Sequence, residues 1–115
     1  MIMLRYAEIE EDSPTDARDR ERELLDRSIG LLQKATEKGP KSFEAVEAVH
    51  FVLRLWSMLL EDLASNDNAL PKELRASLIS IGIWILREAD SIRKGDSSNF
   101  QGILDITKII RDGMQ

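Results

Sequence analysis

Residues 77–86 read SLISIGIWIL, a concentrated apolar run in a chain of 115 residues of which 32% are charged. Isoleucine at positions 79, 81, 83 and 85 repeats with the two-residue period of a strand, and apolar groups also point in every direction that a helix could offer. The fold class turns on which period wins. A strand here would stand alone: no other segment offers β-branched alternation, and a lone strand leaves its backbone donors and acceptors without partners. A helix has partners. Widening the window gives Leu74, Leu78, Ile81, Ile85, Ala89 and Ile92 at steps of four and three, the spacing of a helical stripe. The isoleucines and Gly82 oppose helix formation by about 2–3 kcal/mol of propensity. Burying two such side chains returns as much, at about 1.5–3 kcal/mol each.

Glycine and proline then divide the chain. Ser13 and Pro14 read as an N-cap and a first helical position, with Asp16 near the positive helix end, and Gly39 and Pro40 stop that helix after Lys38. Its stripe is Leu25, Ile29, Leu32 and Thr36. A second helix starts at about Ser42 and carries a wide apolar face of Val49, Val52, Leu53, Trp56, Leu59, Leu60 and Leu63. The turn formers SNDNAL separate it from a third, with Pro71 at its first position and Arg93, Lys94 and Gly95 at its end. Candidate caps among Asp96, Ser97, Ser98 and Asn99 open a fourth, with a stripe of Ile103, Thr107, Ile110 and Met114. The expected fold is all-α, a single domain built as an antiparallel bundle of about four helices over residues 14–38, 43–64, 71–94 and 99–112, with residues 1–12 as an N-terminal extension.

Composition narrows the function. No cysteine is present, which excludes a disulfide framework, a thiolate metal site and a cysteine nucleophile, and makes a cytoplasmic location the expectation. No run reaches the roughly 18–20 apolar residues needed to cross a bilayer, and MIMLRYAEIEED has no basic region leading into a long apolar stretch, so neither a signal peptide nor membrane association is expected. The net charge of −5 opposes direct nucleic-acid binding, which draws on cations meeting phosphates. A protein partner is the better expectation.

No catalytic constellation can be assembled. His50 is the single histidine, too few for a triad or a metal site, and the carboxylate pairs Glu44 and Glu47, Glu61 and Asp62, and Glu88 and Asp90 sit on regular helices among Lys and Arg, as a solvated face does. Asn66, Asp67 and Asn68 resemble the start of a calcium loop, but Pro71 stands where such a loop requires glycine. No glycine-rich phosphate loop occurs. The expectation is a non-enzyme with no cofactor and no metal. In DARDRERE, Arg18, Arg20 and Arg22, with Arg27 beyond them, could touch RNA, but interleaved acids at helical spacing cancel the field an RNA would feel.

Two tryptophans remain. Trp56 and Trp84 each fit a core, yet Trp84 lies in a helix with more apolar faces than three neighbours must cover. An uncovered part would mark a partner site or a homodimer interface.

Across these segments, ASNDNALPKELRASLISIGIWILREADSIR followed by NFQGILDITKIIRDG, with DARDRERELLDRSI and HFVLRLWSMLLEDL upstream, the sequence closely resembles the FlaF family of bacterial flagellar biosynthesis regulators. The likeness runs from about residue 6 to residue 113. It implies a small cytoplasmic protein of flagellar assembly, acting on flagellin as an export chaperone or at the post-transcriptional level, in concert with the flagellin translation regulator FlbT. A groove between helices could then cover an amphipathic flagellin segment, with Ile81, Trp84, Ile85, Phe100, Ile103 and Ile110 as the candidate residues. The alternatives are a scaffold acting through FlbT without touching flagellin, and a regulator touching flagellin messenger RNA through its arginines.

Overall fold

The computed structural model describes residues 14–114. Four helices follow one another: α1 (Pro14–Lys38), α2 (Phe43–Ala64), α3 (Lys72–Arg93) and α4 (Phe100–Gly113). The all-α bundle expected from the sequence is the observed fold, and residues 77–86 are helical throughout. The anticipated Ser13 cap and the extension over residues 1–12 lie outside the described residues.

Local chemistry sets each boundary. The α1 helix ends where Gly39 takes φ 97°, a left-handed conformation that only glycine adopts without strain, and the Gly39 amide donates back to the Ala35 carbonyl at 2.9 Å. Ser42 caps α2: its hydroxyl accepts from the Ala45 amide at 3.1 Å and donates to the Gly39 carbonyl at 2.7 Å, so one side chain closes the α1–α2 turn and opens the next helix. Pro71 is not the first helical residue of α3, as the sequence predicts, but its cap, with an extended ψ of 143°. The α3 helix ends in a Schellman motif, in which Gly95 at φ 83° lets the Asp96 amide reach the Ser91 carbonyl at 2.9 Å and the Gly95 amide reach that of Ile92 at 3.0 Å. Of the candidate caps for α4, Asn99 is the one used, accepting from the Gly102 amide at 3.0 Å.

The short turns make sequential helices antiparallel, and the packing order around the bundle is α4, α1, α2, α3. The α1 helix is held on both sides: Arg27 lies over the Phe51 ring of α2 at 5.3 Å, and Asp26 pairs with Arg111 of α4 at 2.6 Å. Leu25, Ile29 and Leu32 of α1 are buried as expected, but Ala35, not Thr36, completes the stripe; Thr36 is exposed and turns its hydroxyl onto the Leu32 carbonyl at 2.9 Å. Val52, Leu55, Trp56 and Leu59 of α2 form the centre of the core, against Ile85, Ala89 and Ile92 of α3 and Phe100, Ile103 and Leu104 of α4. The bundle does not close evenly. The α3 helix packs closely on α2 and α4 packs closely on α1, whereas α3 and α4 barely meet.

Candidate partner-binding surface

Gly82 determines how α3 sits. An added Cβ there would stand 2.8 Å from Leu60 Cδ2 and 2.9 Å from Trp56 Cε3, so the absence of a side chain is what lets the α3 backbone rest directly on the α2 tryptophan. That contact turns Gly82, Ile85, Ala89 and Ile92 into the bundle. The remaining apolar residues of α3 must then face elsewhere. Ile81 is half-buried on the side toward α4, and Trp84 is left 41% exposed, in contrast to Trp56 at 2%.

The α4 helix has the same excess. With Phe100, Ile103, Leu104 and Thr107 buried, Ile106 and Ile110 are half-covered and Ile109 is 65% exposed. Helical spacing puts Gly102, Ile106 and Ile109 on one edge of α4. Where the two uncovered edges approach, they leave a shallow apolar depression of about 250 Å³ lined by Ile81, Trp84, Gly102 and Ile106. Gly102 has a structural reason to lack a side chain: a Cβ there would collide with the Asn99 side chain that caps the helix. Its backbone therefore forms part of the depression.

Of the six residues proposed from the sequence, Ile81 and Trp84 line this depression and Ile110 lies half-buried nearby on α4. Ile85, Phe100 and Ile103 are corrected. They are 0%, 3% and 1% exposed, wedged between helices in the core, and offer nothing to a partner while the bundle is closed. Sequence reasoning missed Gly102 and Ile106. The signal was present in the apolar excess of α4, where Ile106 and Ile109 fall outside the stripe of Ile103, Thr107 and Ile110. The same excess surrounds Trp84 on α3.

Polar features elsewhere serve the fold. Arg22 donates to the Met114 carbonyl at 3.4 Å and Arg27 is engaged with Phe51, and Arg18 and Arg20 also have partners within the chain, so the candidate RNA-contacting arginines all have intramolecular roles. Arg111 bridges Asp26 and Asp112, and both carboxylates raise its already high pKa. Asp90 accepts from Arg93 at 2.6 Å and pairs with Lys94 at 3.0 Å, which holds its carboxyl below the usual range. Glu21 differs: burial, and then repulsion from the Asp62 carboxylate of α2, push its pKa up to about 7 against the opposing pull of Arg18. Among the described residues no group of three His, Cys, Asp or Glu could hold a metal ion, and no helix is long and apolar enough to cross a membrane.

The family model for "Flagellar protein FlaF" matches residues 3–114. The chain belongs to the FlaF family. No curated protein and no solved structure matches it. The match spans all four helices, so the α3–α4 depression is part of the family domain and not an appendage to it.

Proposed function

We propose that this FlaF-family chain is a non-enzymatic cytoplasmic partner of flagellin, serving flagellin production and export alongside FlbT, and that an amphipathic flagellin helix lies in the α3–α4 seam. The observation that carries the reading is Trp84, exposed beside Ile81 and Ile106 in a bundle whose other tryptophan is fully buried. Flagellin's terminal segments are amphipathic helices that polymerise outside the cell, and their apolar faces need cover before export. A helix laid along the seam would complete the ring that α3 and α4 leave open, by the same side-chain packing that holds the other helices. Indole is a favoured anchor in such interfaces because it buries a large rigid surface at low entropic cost.

The test is co-elution at physiological salt of the purified protein with flagellin, with flagellin lacking its terminal helices, with FlbT and with the flagellin leader RNA. Full-length flagellin is expected to co-elute and the truncated form is not. Trp84→Ala and Ile106→Asp, both at surface or half-covered positions, should stay helical and lose about tenfold or more in flagellin affinity, the scale of an interface hot spot. Undiminished binding by both folded variants would overturn the placement. Co-elution of FlbT or RNA without flagellin would overturn the partner, and a doubled apparent mass for the protein alone, lost in Trp84→Ala, would assign the seam to a homodimer.

A further inference from the structure

The apolar stripe of α3 is covered unevenly along its length. Ile85, Ala89 and Ile92 are buried, Leu78 and Ile81 are half-buried, and Leu74, on the same stripe and nearest the start of the helix, is 45% exposed. The length of α4 accounts for this. At 14 residues against 22 in α3 and 25 in α1, α4 stops short of the end of the bundle where α1 and α3 begin. Met114, just past its end, accepts at its carbonyl from Arg22 at 3.4 Å, so residues 14–21 of α1 run on beyond it for two turns, about 12 Å. Within those turns Ala17 and Glu21 continue the line of Leu25 and Ile29 and are half-buried. Among the described residues, the fourth wall of the bundle is therefore missing beneath α4, and Leu74 and Leu78 face the gap.

We propose that the chain supplies this wall itself: residues 2–9 dock between α1 and α3 beneath the end of α4, with Ile2, Tyr6 and Ile9 over Leu74 and Leu78. Thirteen residues precede Pro14, and Pro14 starts α1 at the open end. Ile2, Tyr6 and Ile9 stand at steps of four and three, the spacing of a helical stripe, with Met3 beside them. As a helix, residues 2–9 would span about 12 Å, the length of the gap. Glu10, Glu11, Asp12 and Ser13 are then left for the reversal into α1, and none of them is apolar. The tether favours this occupant over a separate chain, because a short linker presents the segment at an effective concentration of about a millimolar. A segment of this length ends where α4 begins to cover α3, so the depression at Ile81, Trp84 and Ile106 stays open to a partner. The docking holds whether or not that partner is flagellin.

The chain has no cysteine, so engineered pairs report the docking without background. In the full chain Ile9→Cys is combined either with Leu74→Cys or with Ala76→Cys, an exposed position about 200° round α3 at nearly the same height. A tail moving freely about Pro14 reaches both sites alike. Each pair is treated at micromolar protein with a short bis-maleimide, and the rates are normalised to the reaction of each thiol with a monofunctional maleimide. The Leu74 pair is expected to link within one chain at least about tenfold faster than the Ala76 pair. Adding Ile2→Asp and Tyr6→Asp, which lie outside the four helices, should bring the difference below about twofold while the helical circular dichroism is unchanged. Equal rates for the two pairs, or a difference that the two aspartates leave untouched, would overturn the docking. A linked product of doubled mass would overturn it too, by assigning the gap to a second copy of the chain.

Discussion

Gly82→Ala separates two opposing effects at the point where α3 meets α2. In an exposed helix interior the exchange stabilises by about 1 kcal/mol, because alanine forms helix more readily than glycine. At this position the new methyl would lie 2.8 Å from Leu60 Cδ2, 3.1 Å from Leu60 Cγ and 2.9 Å from Trp56 Cε3. Carbon atoms prefer about 3.5–4.0 Å, so gaps of several tenths of an ångström must open. Leu60 is half-buried and can swing aside, but Trp56 is 2% exposed and packed on all sides. Overpacking of such a core costs about 1–3 kcal/mol, which exceeds the propensity gain and leaves a net destabilisation of about 1 kcal/mol. Urea unfolding should show the midpoint falling by about half a molar, with an unchanged slope. In a Leu60→Ala background the contacts to Leu60 are gone and Trp56 gains room to shift, so the same substitution should cost less than in the wild type, giving a coupling of about 1 kcal/mol across the pair. A rise of about 1 kcal/mol in the wild-type background, or no coupling, would refute the close approach and with it the orientation that leaves Trp84 uncovered.

Two further perturbations test the frame of the seam. Glu21, whose folded pKa of about 7 lies above its ordinary 4.5, binds more protons in the native than in the unfolded state between those values, so its neutral form's contribution is fully present below about pH 4.5 and lost as pH rises through 7. Glu21→Gln should therefore leave the urea midpoint nearly unchanged at pH 4.5 and raise stability by about 1–2 kcal/mol at pH 8, a figure reduced from the full shift because the side chain is part-exposed; an equal effect at both pH values would contradict it. Asn99→Ala removes the cap of α4 and should cost about 1 kcal/mol in thermal unfolding, whereas Gly102→Ala, which forces the cap aside in the native protein, should cost less in the Asn99→Ala background than alone.

The helices and their ends could be read from residue types because their causes are local. Glycine at 39 and 95 is needed for a left-handed conformation, Ser42 and Asn99 offer cap oxygens, and proline at 14 and 71 cannot continue a preceding helix. Which apolar residues close the core is not local. The sequence stripe of α1 selected Thr36 over Ala35, a difference of one position that depends on where α2 sits, and polar Thr36 had a backbone carbonyl to satisfy it at the surface. On α3 and α4, Ile85, Phe100 and Ile103 are as hydrophobic as Ile81 and Trp84, so composition ranks them alike. What separates them is the close contact at Gly82, which rotates α3 so that Ile85 points inward and Trp84 outward. A glycine in an isoleucine-rich helix looked like a local penalty when it was in fact the element that sets the packing.

That packing has a consequence for why the seam is apolar at all. An exposed helix edge carries polar residues at no cost to folding, as Ser57, Glu61 and Arg87 do on the outer faces of α2 and α3. Trp84 and Ile109 are far from complete burial, so folding alone gains little from them, and scattered singly they would be unremarkable surface hydrophobics. Trp84 instead shares one depression with Ile81, Gly102 and Ile106, between the two neighbouring helices of the bundle that pack together least. Tightening α3 onto α4 would bury these side chains within the monomer. Gly82 lets α3 rest against α2, and α4 packs closely on α1, where Arg111 also pairs with Asp26, so each helix is committed to the neighbour on its other side. The opening thus follows from the closer packing of α3 on α2 and of α4 on α1, and an occupant of the seam can gain its apolar surface without displacing either contact.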